Sequence, residues 1–501
     1  MARETETKYE AGPDTALPRL DALPGVRATR GPDLQQLEAD YYDTADLRLL
    51  RAGSTLRRRQ GGHDAGWHLK LPAGGGSREE IRLPLGRANR VPAELARLVQ
   101  ACTRGEQLVP VASITTSRQA ITLLGADDAP LAEVADDQVH ATATGGRREG
   151  PVQWREVEVE LIGGDRDLLD AADKLLRKAG LQRSGRTAKL ERVLGRPVSG
   201  RAAVPAARPT AGDVVTAYLR EQADQLIASD PLVRRQEPDA VHQMRVATRR
   251  LRSTLKTFRT VLSQPAGDLA ATELKWLGAV LGDERDAEVQ ASRLRQHVSQ
   301  TDADVLLGPV QARIQAHAAK AAATSHAAVM RALNSERYRA LLDALDALVT
   351  GPEAGPDAGR QASHVVPRAV RRSYRTTRRR MRAALRVPPG PPRDTALHAA
   401  RKAAKRARYA AEAAVPVAGK PASQFAGQLK EVQSVLGDHQ DTVVGRQLAR
   451  RLGVAAQLAG ESAFSYGLFH AREACLAGQL EAQAIKTWHR ASRRRYRSWL
   501  A

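Results

Sequence analysis

The polar and apolar positions of the chain change their period once along its length. Before residue 195, several segments alternate polar and apolar residues, which is the pattern of strands with one buried face. These segments are RETETKYE, STLRRRQ, GWHLKLP, REEIRLPL, PLAEVADDQV and WREVEVELI. Two helical stretches interrupt them, near 92–102 and 166–179. The pattern predicts a mainly β domain with short helices over residues 1–195.

From residue 213 onward the period is helical, which predicts an all-α domain over 213–501. Residues 196–212 are rich in Pro, Gly and Ala and offer little to bury, so we interpret them as a linker. Within the helical part, 350–361 and 387–394 carry Pro and Gly and are predicted breaks between helices. The fold class predicted is therefore α+β, in two domains.

The helical part repeats itself. The segment VHQMRVATRRLR, which contains His242, recurs as LHAARKAAKRARY, which contains His398. Further along, LKWLGAVLGDERD (274–286) recurs as LKEVQSVLGDHQD (429–441) at nearly the same offset. A repeat of this length predicts one duplicated helical unit, with copies at about 213–350 and 362–501.

Charged and ionisable residues share a face on several of the predicted strands, because side chains two positions apart point to the same side of a sheet. The groups are Glu4, Glu6 and Lys8; Arg57 and Arg59; His68 and Lys70; Glu133 and Asp137; and Glu156, Glu158 and Glu160. One interpretation is a charged outer face in water. The other is a lined cavity, where clustered carboxylates hold a divalent cation and the cations bind phosphate oxygens. Such a cavity is the outline of a phosphoryl-transfer site.

The series Glu-x-Glu-x-Lys, LRRR (Leu56 to Arg59), WHLKLP, REE and EVEVEL, in this order, resembles the CYTH family, also called triphosphate tunnel metalloenzymes. The resemblance implies a closed, eight-stranded antiparallel β tunnel that binds a triphosphate in its bore. It implies Mg²⁺ or Mn²⁺ as the cofactor. The implied metal ligands are Glu4, Glu6, Glu158 and Glu160, with Glu156 and Asp137 as candidates for metal or water contact. The implied catalytic cations are Lys8, Arg57, Arg59 and Lys70, and the implied triphosphate-binding residues are Arg82, Arg118 and Lys189.

Two points stay open within this resemblance. Asp136 replaces Asp137 as the inward acid if the register of that strand shifts by one residue. The family includes inorganic triphosphatases, thiamine-triphosphatases, RNA triphosphatases and adenylate cyclases. The segments show no aromatic cluster that would stack a base, which favours hydrolysis of a bare triphosphate. The alternative is a degenerate tunnel in a non-catalytic polyphosphate-binding protein.

Basic side chains form stripes along three predicted helices, at steps of three and four residues. The stripes are His242, Arg245, Arg249, Arg252 and Lys256; His398, Arg401, Lys405 and Arg408; and Arg371, Arg375, Arg378 and Arg382. Like charges at this spacing repel each other, and an anionic ligand along the stripes would offset the cost. A solvated basic face is the other interpretation.

The motif His-x-x-Arg-Val-x-x-Arg-Arg-x-Arg, its echo at His398 and the repeated L-G-D-x-x-D resemble the CHAD domain. The resemblance implies a duplicated four-helix bundle whose basic helices line a groove that binds inorganic polyphosphate. It adds Lys275 and Lys430 to the binding residues of the first two stripes, while Glu412 stands where the first copy has Lys256. We expect the aspartates of L-G-D-x-x-D to be helix caps or ion-pair partners. We expect His242 and His398 to be neutral, because nearby cations lower the pKa of an imidazole.

The formal charge of +22 and the pI near 10.5 agree with polyanionic partners. Nucleic acid is a third hypothesis, but no helix-turn-helix, RRM or zinc module is recognisable. Only Cys102 and Cys475 are present, which fits a reducing compartment. The sequence has no apolar leader and no run long enough to span a bilayer. We therefore expect a cytoplasmic protein, associated with polyphosphate granules, with inorganic triphosphate and polyphosphate as its partners.

Overall fold

The computed structural model describes residues 2–73, 77–86, 90–145, 150–186, 188–195, 208–351 and 354–500, without the side chains of residues 2–4 and Gln264. The chain divides into two compact units, Met1–Gly200 and Arg201–Ala501. Most of the predicted linker, residues 196–207, lies outside the described residues. In the part of the chain that is described, no helix has both the length and the hydropathy needed to cross a membrane.

The first unit is built on an antiparallel sheet of ten strands with helices beside it. The strands are β1 (Ala2–Glu4), β2 (Glu6–Ala11), β3 (Ala28–Asp43), β4 (Thr55–Gln60), β5 (Gly66–Pro72), β6 (Arg78–Leu83), β7 (Val109–Leu124), β8 (Pro130–Ala143), β9 (Val152–Leu161) and β10 (Gln182–Arg183). The helices are α1 (Arg48–Arg51), α2 (Ala93–Leu98), α3 (Gln100–Thr103), α4 (Arg166–Lys178) and α5 (Lys189–Leu194).

The strand order is β1-β6-β5-β4-β3-β7-β8-β9-β2-β10. Among the described residues the hydrogen-bond ladder does not close, so the sheet differs from the continuous eight-stranded tunnel expected from the sequence. Its two ends are nevertheless tied together, because β1 and β2 are consecutive and separated only by Thr5. β1 pairs with β6, and β2 pairs with β9. One extended segment therefore bridges the two ends of the sheet.

The sheet turns its apolar face outward and its charged face inward. On β9, Val157 and Val159 are fully buried in a core that includes Leu168 and Leu176 of α4. A second core packs Leu56, Trp67 and Leu69 of β4 and β5 with residues of α1, α2 and α3. Because these outer faces are covered by helices, the alternating charged positions point to the interior of the sheet.

Two of the longest strands, β3 and β7, were not among the predicted strands. The first seven residues of β3 are exposed, and the segment carries Gly31 and Pro32, so it lacks the alternation that marks a half-buried strand. The middle of β7 reads SITTSRQA, which is polar on both faces. Both strands pair along most of their length with each other. Their identity as strands therefore depends on pairing across the sheet.

The second unit is helical, as predicted. Its helices are α6 (Ala211–Arg234), α7 (Ala240–Thr257), α8 (Gln264–Ser299), α9 (Val310–Leu333), α10 (Glu336–Thr350), α11 (Ala362–Ala384), α12 (Pro391–Ala413), α13 (Val415–Leu458), α14 (Phe464–Ala491) and α15 (Arg494–Arg497). The predicted break at 387–394 is too long, because α12 already begins at Pro391. Proline is favourable in the first turn of a helix, where its missing N–H has no partner to lose.

The duplication seen in the sequence is present in the order of the helices. Helices α6, α7, α8 and α9 recur as α11, α12, α13 and α14. Helix α7 of the first copy contacts helix α12 of the second copy. These two helices carry the repeated histidine–arginine motif, so the contact between the copies brings the two basic stripes together.

Candidate functional site

A cavity of about 310 Å³ lies inside the sheet of the first unit. Many of the side chains predicted to form a site line it, namely Glu6, Lys8, Arg57, Arg59, Lys70, Arg82, Arg118, Glu158, Glu160 and Lys189. Asp137 and Glu156 lie behind Lys189, which contacts both. Glu4 belongs to β1, and its side chain lies outside the described part of the chain. The structure therefore gathers residues that are far apart in sequence, while their roles stay predictions.

One wall of the cavity, on β4, β5 and β6, is rich in cations. Arg57, Arg59, Lys70 and Arg82 come from these strands. Glu80 lies 3.9 Å from an Arg57 nitrogen and 3.8 Å from Lys70 Nζ, and it also contacts Arg82. The wall thus shares one central carboxylate among several cations.

Two of the three arginines of β4, Arg57 and Arg59, line the cavity and have buried N–H groups without acceptors among the described residues. In the described part of the chain, Arg57 Nε and Arg59 Nε have no hydrogen-bond partner. Burial, together with Arg57 and Arg118, lowers the pKa of Arg59 to about 9. Asp64 contacts Arg59, and the Tyr41 hydroxyl accepts a hydrogen bond from Arg57 at 3.4 Å. An anion entering the cavity would supply the missing acceptors.

His68 supports this wall through both of its ring nitrogens. Its Nδ1 lies 2.8 Å from Glu80 Oε1 and its Nε2 lies 2.8 Å from the Asp64 carbonyl oxygen. Burial lowers the pKa of His68 to about 4, although both ring nitrogens face acceptors. Burial works to raise the pKa of Glu80, but His68, Lys70 and Arg57 outweigh it and hold that carboxyl ionised.

The opposite wall, on β2, β8 and β9, carries a row of carboxylates at the level of Glu6. Glu6 is directly opposite Glu160 on β9, and Glu160 is directly opposite Glu133 on β8. All three line the cavity. Like charges at directly opposed positions destabilise a sheet unless a cation offsets them.

Deeper in the cavity the carboxylates are already neutralised by Lys189. Its Nζ lies 2.8 Å from Asp137 Oδ2, 2.7 Å from Glu156 Oε1 and 2.8 Å from Glu158 Oε1. These three acids have the mutual spacing of metal ligands. The ammonium group, however, stands where an ion would bind. Burial works to lower the pKa of Lys189, but the three carboxylates outweigh it and raise that pKa well above its usual value.

Glu158 is the carboxylate on this wall that contacts three cations, Lys8, Arg118 and Lys189. It contacts Lys8, and its Oε2 lies 3.1 Å from Arg118 Nη2. Burial works to raise the pKa of Glu158, but Lys189, Lys8 and Arg118 hold it well below the usual range. Arg118 also donates two hydrogen bonds of 2.7 Å to Asp137.

The register of β8 decides between the two neighbouring aspartates. Asp137 faces Arg118 and Lys189, whereas Asp136 pairs with Arg155 at 2.7 Å on the other side of the strand. Sequence reasoning did not assign roles to Glu133, Glu80, Asp64 and Tyr41. Glu133 shares a strand face with Asp137, which was the signal available for it.

In the second unit, cations of α7 and α12 crowd together. Burial first, and then Arg401, Arg249 and Arg245, lower the pKa of Lys405 to about 6 against the opposing effect of Asp441. Burial also lowers the pKa of Arg249 and Arg401. In the part of the chain that is described, Arg249 Nε and Arg401 Nε are buried without a hydrogen-bond partner. We call Arg245, Arg249, Arg401 and Lys405 the α7–α12 cluster.

The glycine of each L-G-D-x-x-D motif lies under an arginine of this cluster. A Cβ added to Gly437 would stand 2.9 Å from Arg401 Nη2, and one added to Gly282 would stand 3.5 Å from Arg245 Nη2. Asp286 accepts a hydrogen bond of 2.8 Å from Arg245, which fits the ion-pair expectation for the motif. Because Asp286 lies inside α8, it is not a helix cap.

Other predicted basic residues stand apart from the cluster. Arg408 donates to Glu412 at 2.7 Å, and Arg250 and Tyr218 donate to the same carboxylate at 3.1 and 3.3 Å. Arg408 is therefore already paired. A further group, missed by the sequence reasoning, involves Arg406, which lowers the pKa of Lys256 together with burial and Arg252.

The third stripe and the two added lysines lie on exposed surfaces. Arg371 of α11 is half-buried, and the residues that are exposed are Arg375, Arg378, Arg382, Lys275 and Lys430. Burial first, and then neighbouring arginines, lower the pKa of His242, and burial and nearby cations do the same for His398. Both shifts have the direction expected from the sequence, although burial, and not the neighbouring cations, is the larger cause.

The fold and the two sites define a chain with a CYTH-type β unit and a CHAD-type helical unit. Residues 2–194 match the family model of the CYTH domain, and residues 217–450 match that of the CHAD domain. An uncharacterized protein of Mycobacterium tuberculosis (strain ATCC 25618 / H37Rv) is 38% identical over 493 residues, which cover 96% of this chain and 94% of that protein. The chain belongs to the family of proteins that join a CYTH domain to a CHAD domain.

Two other similarities each cover one unit. Human thiamine-triphosphatase is 34% identical over 140 residues, which cover 25% of this chain and 57% of that protein. The crystal structure of the CHAD domain from the plant Ricinus communis is 25% identical with a TM-score of 0.45, covering 56% of this chain and 93% of that chain.

Replacing Lys189 by Met tests the neutralisation of the deep carboxylates. The change leaves buried acids without their cation, so we expect the free energy of unfolding to fall by about 3 to 5 kcal/mol at neutral pH. The partners Asp137 and Glu158 have lowered pKa values, so the stability that they contribute is present above their unfolded pKa and is lost as the pH falls. The difference between Lys189→Met and the wild type should therefore shrink at about pH 4.

Urea unfolding at the two pH values measures this difference. Lys174→Met, at an exposed position on α4, is the matched control and should change stability little. Equal stability of Lys189→Met and Lys174→Met at neutral pH would contradict the interpretation.

Proposed function

We propose that the first unit hydrolyses inorganic triphosphate or a related triphosphate, with Mg²⁺ or Mn²⁺, and that the second unit binds inorganic polyphosphate. The observation that carries the first part is the segregation of charge across one cavity. Cations with unsatisfied N–H groups face a wall of opposed carboxylates. A phosphate chain suits the first wall, and a divalent cation suits the second.

The metal is best accommodated by the outer row of acids. Glu6, Glu133 and Glu160 offer hard oxygen ligands in register, whereas Lys189 already neutralises the deep acids. A bound Mg²⁺ or Mn²⁺ would offset the charge of the phosphate oxygens and lower the pKa of bound water. Glu6 stays available as an ionised ligand, because Lys8 outweighs the effect of burial and lowers its pKa.

The basic wall would hold the phosphate chain. Arg57 and Arg59 have buried donors without acceptors, and Lys70 adds a third cation from the next strand. Lys8 and Arg118 lie within the acidic wall and can neutralise charge that moves onto the bridging oxygen as the phosphoanhydride bond breaks. The cavity of about 310 Å³ between the two walls is the space that the phosphate chain would occupy.

The similarity to thiamine-triphosphatase supports the same reaction class. The alternative is a unit that binds phosphate chains without cleaving them. Hydrolysis is favoured over binding alone because the cavity has a wall of carboxylates as well as a wall of cations. A site that only bound phosphate would not need the opposed carboxylates.

Replacement of Arg57 by Met tests the basic wall. We expect Mg²⁺- or Mn²⁺-dependent phosphate release from tripolyphosphate to fall by about 100- to 1000-fold, the usual effect of removing one donor that stabilises developing charge. Glu6→Gln should lower the same rate and weaken its dependence on metal concentration. Phosphate release is measured with and without a chelator.

Asp136→Asn is the matched control, because its carboxylate points away from the cavity and pairs with Arg155. It should keep wild-type turnover. Turnover that is unchanged in Arg57→Met and Glu6→Gln would reject the site. Tight binding of tripolyphosphate without turnover under either metal would support the non-catalytic alternative.

For the second unit, the α7–α12 cluster supports polyphosphate binding. Four cations from two helices lie close together, the pKa values of Arg249, Arg401 and Lys405 are lowered, and two of the four cations have buried donors without acceptors. A flexible polyanion would relieve the repulsion and satisfy the donors at once. Nucleic acid is less suited, since the sequence contains no recognisable helix-turn-helix, RRM or zinc module.

The pH dependence of binding follows from Lys405. Its pKa of about 6 means that it is mostly neutral at about pH 7.5 in the free protein. A bound polyanion favours the charged form, so binding should take up protons. Affinity for long-chain polyphosphate should rise as the pH falls toward 6 and then level off, because Lys405 is then already protonated. Calorimetry in buffers of different ionisation enthalpy measures the uptake.

The control is Lys405→Arg, which keeps the charge at every pH tested. Its binding should take up fewer protons and depend less on pH. Identical proton uptake in both proteins would show that another group is responsible.

The two motif glycines give a second test of the cluster. In Gly437→Ala the new Cβ stands 2.9 Å from Arg401 Nη2, so the guanidinium must move, and we expect polyphosphate affinity to fall about tenfold. Gly282→Ala is the matched control, because its Cβ stands at an ordinary 3.5 Å from Arg245. Both changes should stabilise their helices by up to about 1 kcal/mol. Equal affinities in a polyphosphate titration would contradict the role of Arg401.

A further inference from the structure

A histidine and two carboxylates converge inside the second helical copy, away from the α7–α12 cluster. His439 of α13 is 1% exposed. Its Nε2 lies 3.4 Å from Asp394 Oδ1, in the first turn of α12, and 3.5 Å from Glu481 Oε1 on α14. The ligand atoms of the three side chains all lie within 4.8 Å of one another. Three helices thus contribute one group each.

The imidazole nitrogen at the centre is unsatisfied. In the described part of the chain His439 Nε2 is buried and makes no hydrogen bond, although both carboxylates face it. A buried polar atom of this kind needs an explanation, since most are paired. Each carboxylate also pairs with an arginine through its other oxygen. Arg446 donates to Asp394 Oδ2 at 2.8 Å, and Arg393 Nε lies 3.1 Å from Glu481 Oε2. One oxygen of each is left to point toward the imidazole.

The first copy supplies a contrast at the equivalent positions. At the offset that relates the two L-G-D-x-x-D segments, Glu284 corresponds to His439 and His326 corresponds to Glu481. The histidine and the glutamate have exchanged places. In the first copy they are in hydrogen-bond contact, with His326 Nδ1 3.1 Å from Glu284 Oε1 and His326 Nε2 3.2 Å from Gln236 Nε2. Both imidazole nitrogens are used there, while His439 Nε2 is not.

We propose that Asp394, His439 and Glu481 form a binding site for a first-row divalent transition metal ion, with Zn²⁺ as the best fit. Ligand distances of about 2.0–2.2 Å place two corners of a tetrahedron about 3.4 Å apart. The separations from His439 Nε2 agree with that edge. One nitrogen and two oxygen donors suit Zn²⁺ better than Mg²⁺, which prefers oxygen ligands and octahedral geometry. The fourth position is left to water.

The site would act as a cross-link between helices. It ties the start of α12, which carries the second basic stripe, to the middle of α13 and α14. An ion that binds the folded protein but not the unfolded chain stabilises the fold by mass action. The arginines behind the carboxylates orient the ligands, as outer partners do at metal sites. The inference stands whether or not the first unit hydrolyses triphosphate.

Co²⁺ provides the test, because tetrahedral Co²⁺ with a nitrogen ligand absorbs visible light far more strongly than six-coordinate Co²⁺. The full-length protein is stripped with a chelator and titrated with Co²⁺ in excess Mg²⁺, which fills oxygen-only sites. We expect a strong visible band that Zn²⁺ abolishes by displacement, and a melting temperature that rises with added Zn²⁺. Both should be lost in His439→Gln and in Glu481→Gln.

His326→Gln, the equivalent histidine of the first copy, is the matched control and should keep the band. A wild-type protein without the band, or a band that persists in His439→Gln, would overturn the proposal. Circular dichroism of the metal-free variants checks that they fold. If one variant does not fold, the Co²⁺ spectrum of the wild-type protein still tests whether the site exists.

Discussion

Neutralisation of like charges inside a sheet is the constraint on which the first unit depends. Strand alternation sends Val157 and Val159 outward to α4, so the glutamates between them must face inward. Lys189, from a short helix at the end of the unit, enters among three of these acids. The deep part of the cavity is thereby stable by itself. The outer acids and the basic wall contain charge pairs of their own, such as Glu6 with Lys8 at 3.2 Å and Glu80 with Arg57 and Lys70, and we propose that a metal ion and phosphate bind beside them.

The sequence predicted which side chains share a face of one strand, but not how different strands align with one another. Alternation along β9 identified its inward carboxylates, and the same rule put Glu133 and Asp137 on one face. It could not predict that Glu6, Glu160 and Glu133 stand in one row, because register is set by pairing between distant strands. The strands β3 and β7 were missed for a related reason. Their polar segments are stabilised by neighbours in the sheet rather than by a buried face of their own.

In the helical unit, the period of the stripes predicted which cations share a face but not which of them stay unpaired. Arg408 continues the stripe of Arg401 and Lys405, yet Glu412 on the next turn neutralises it. The crowding of Lys405 arises because α7 packs against α12, a contact that no single helix reveals. Gly437 of the second L-G-D-x-x-D segment permits that arrangement, since Arg401 Nη2 lies only 2.9 Å from where a Cβ would stand.

The two helical copies share their basic stripes but differ at the residues of the proposed metal site. The basic stripes of α7 and α12 lie side by side, so the surface that they form depends on the motif that both copies contain. The histidine and glutamate near each L-G-D-x-x-D segment have exchanged places, and with the exchange a closed hydrogen-bonded pair becomes an open set of three donor groups. The His439–Glu481 arrangement lies within the second copy. It can therefore change the stability of α12, α13 and α14 without changing the repeated basic residues of α7 and α12.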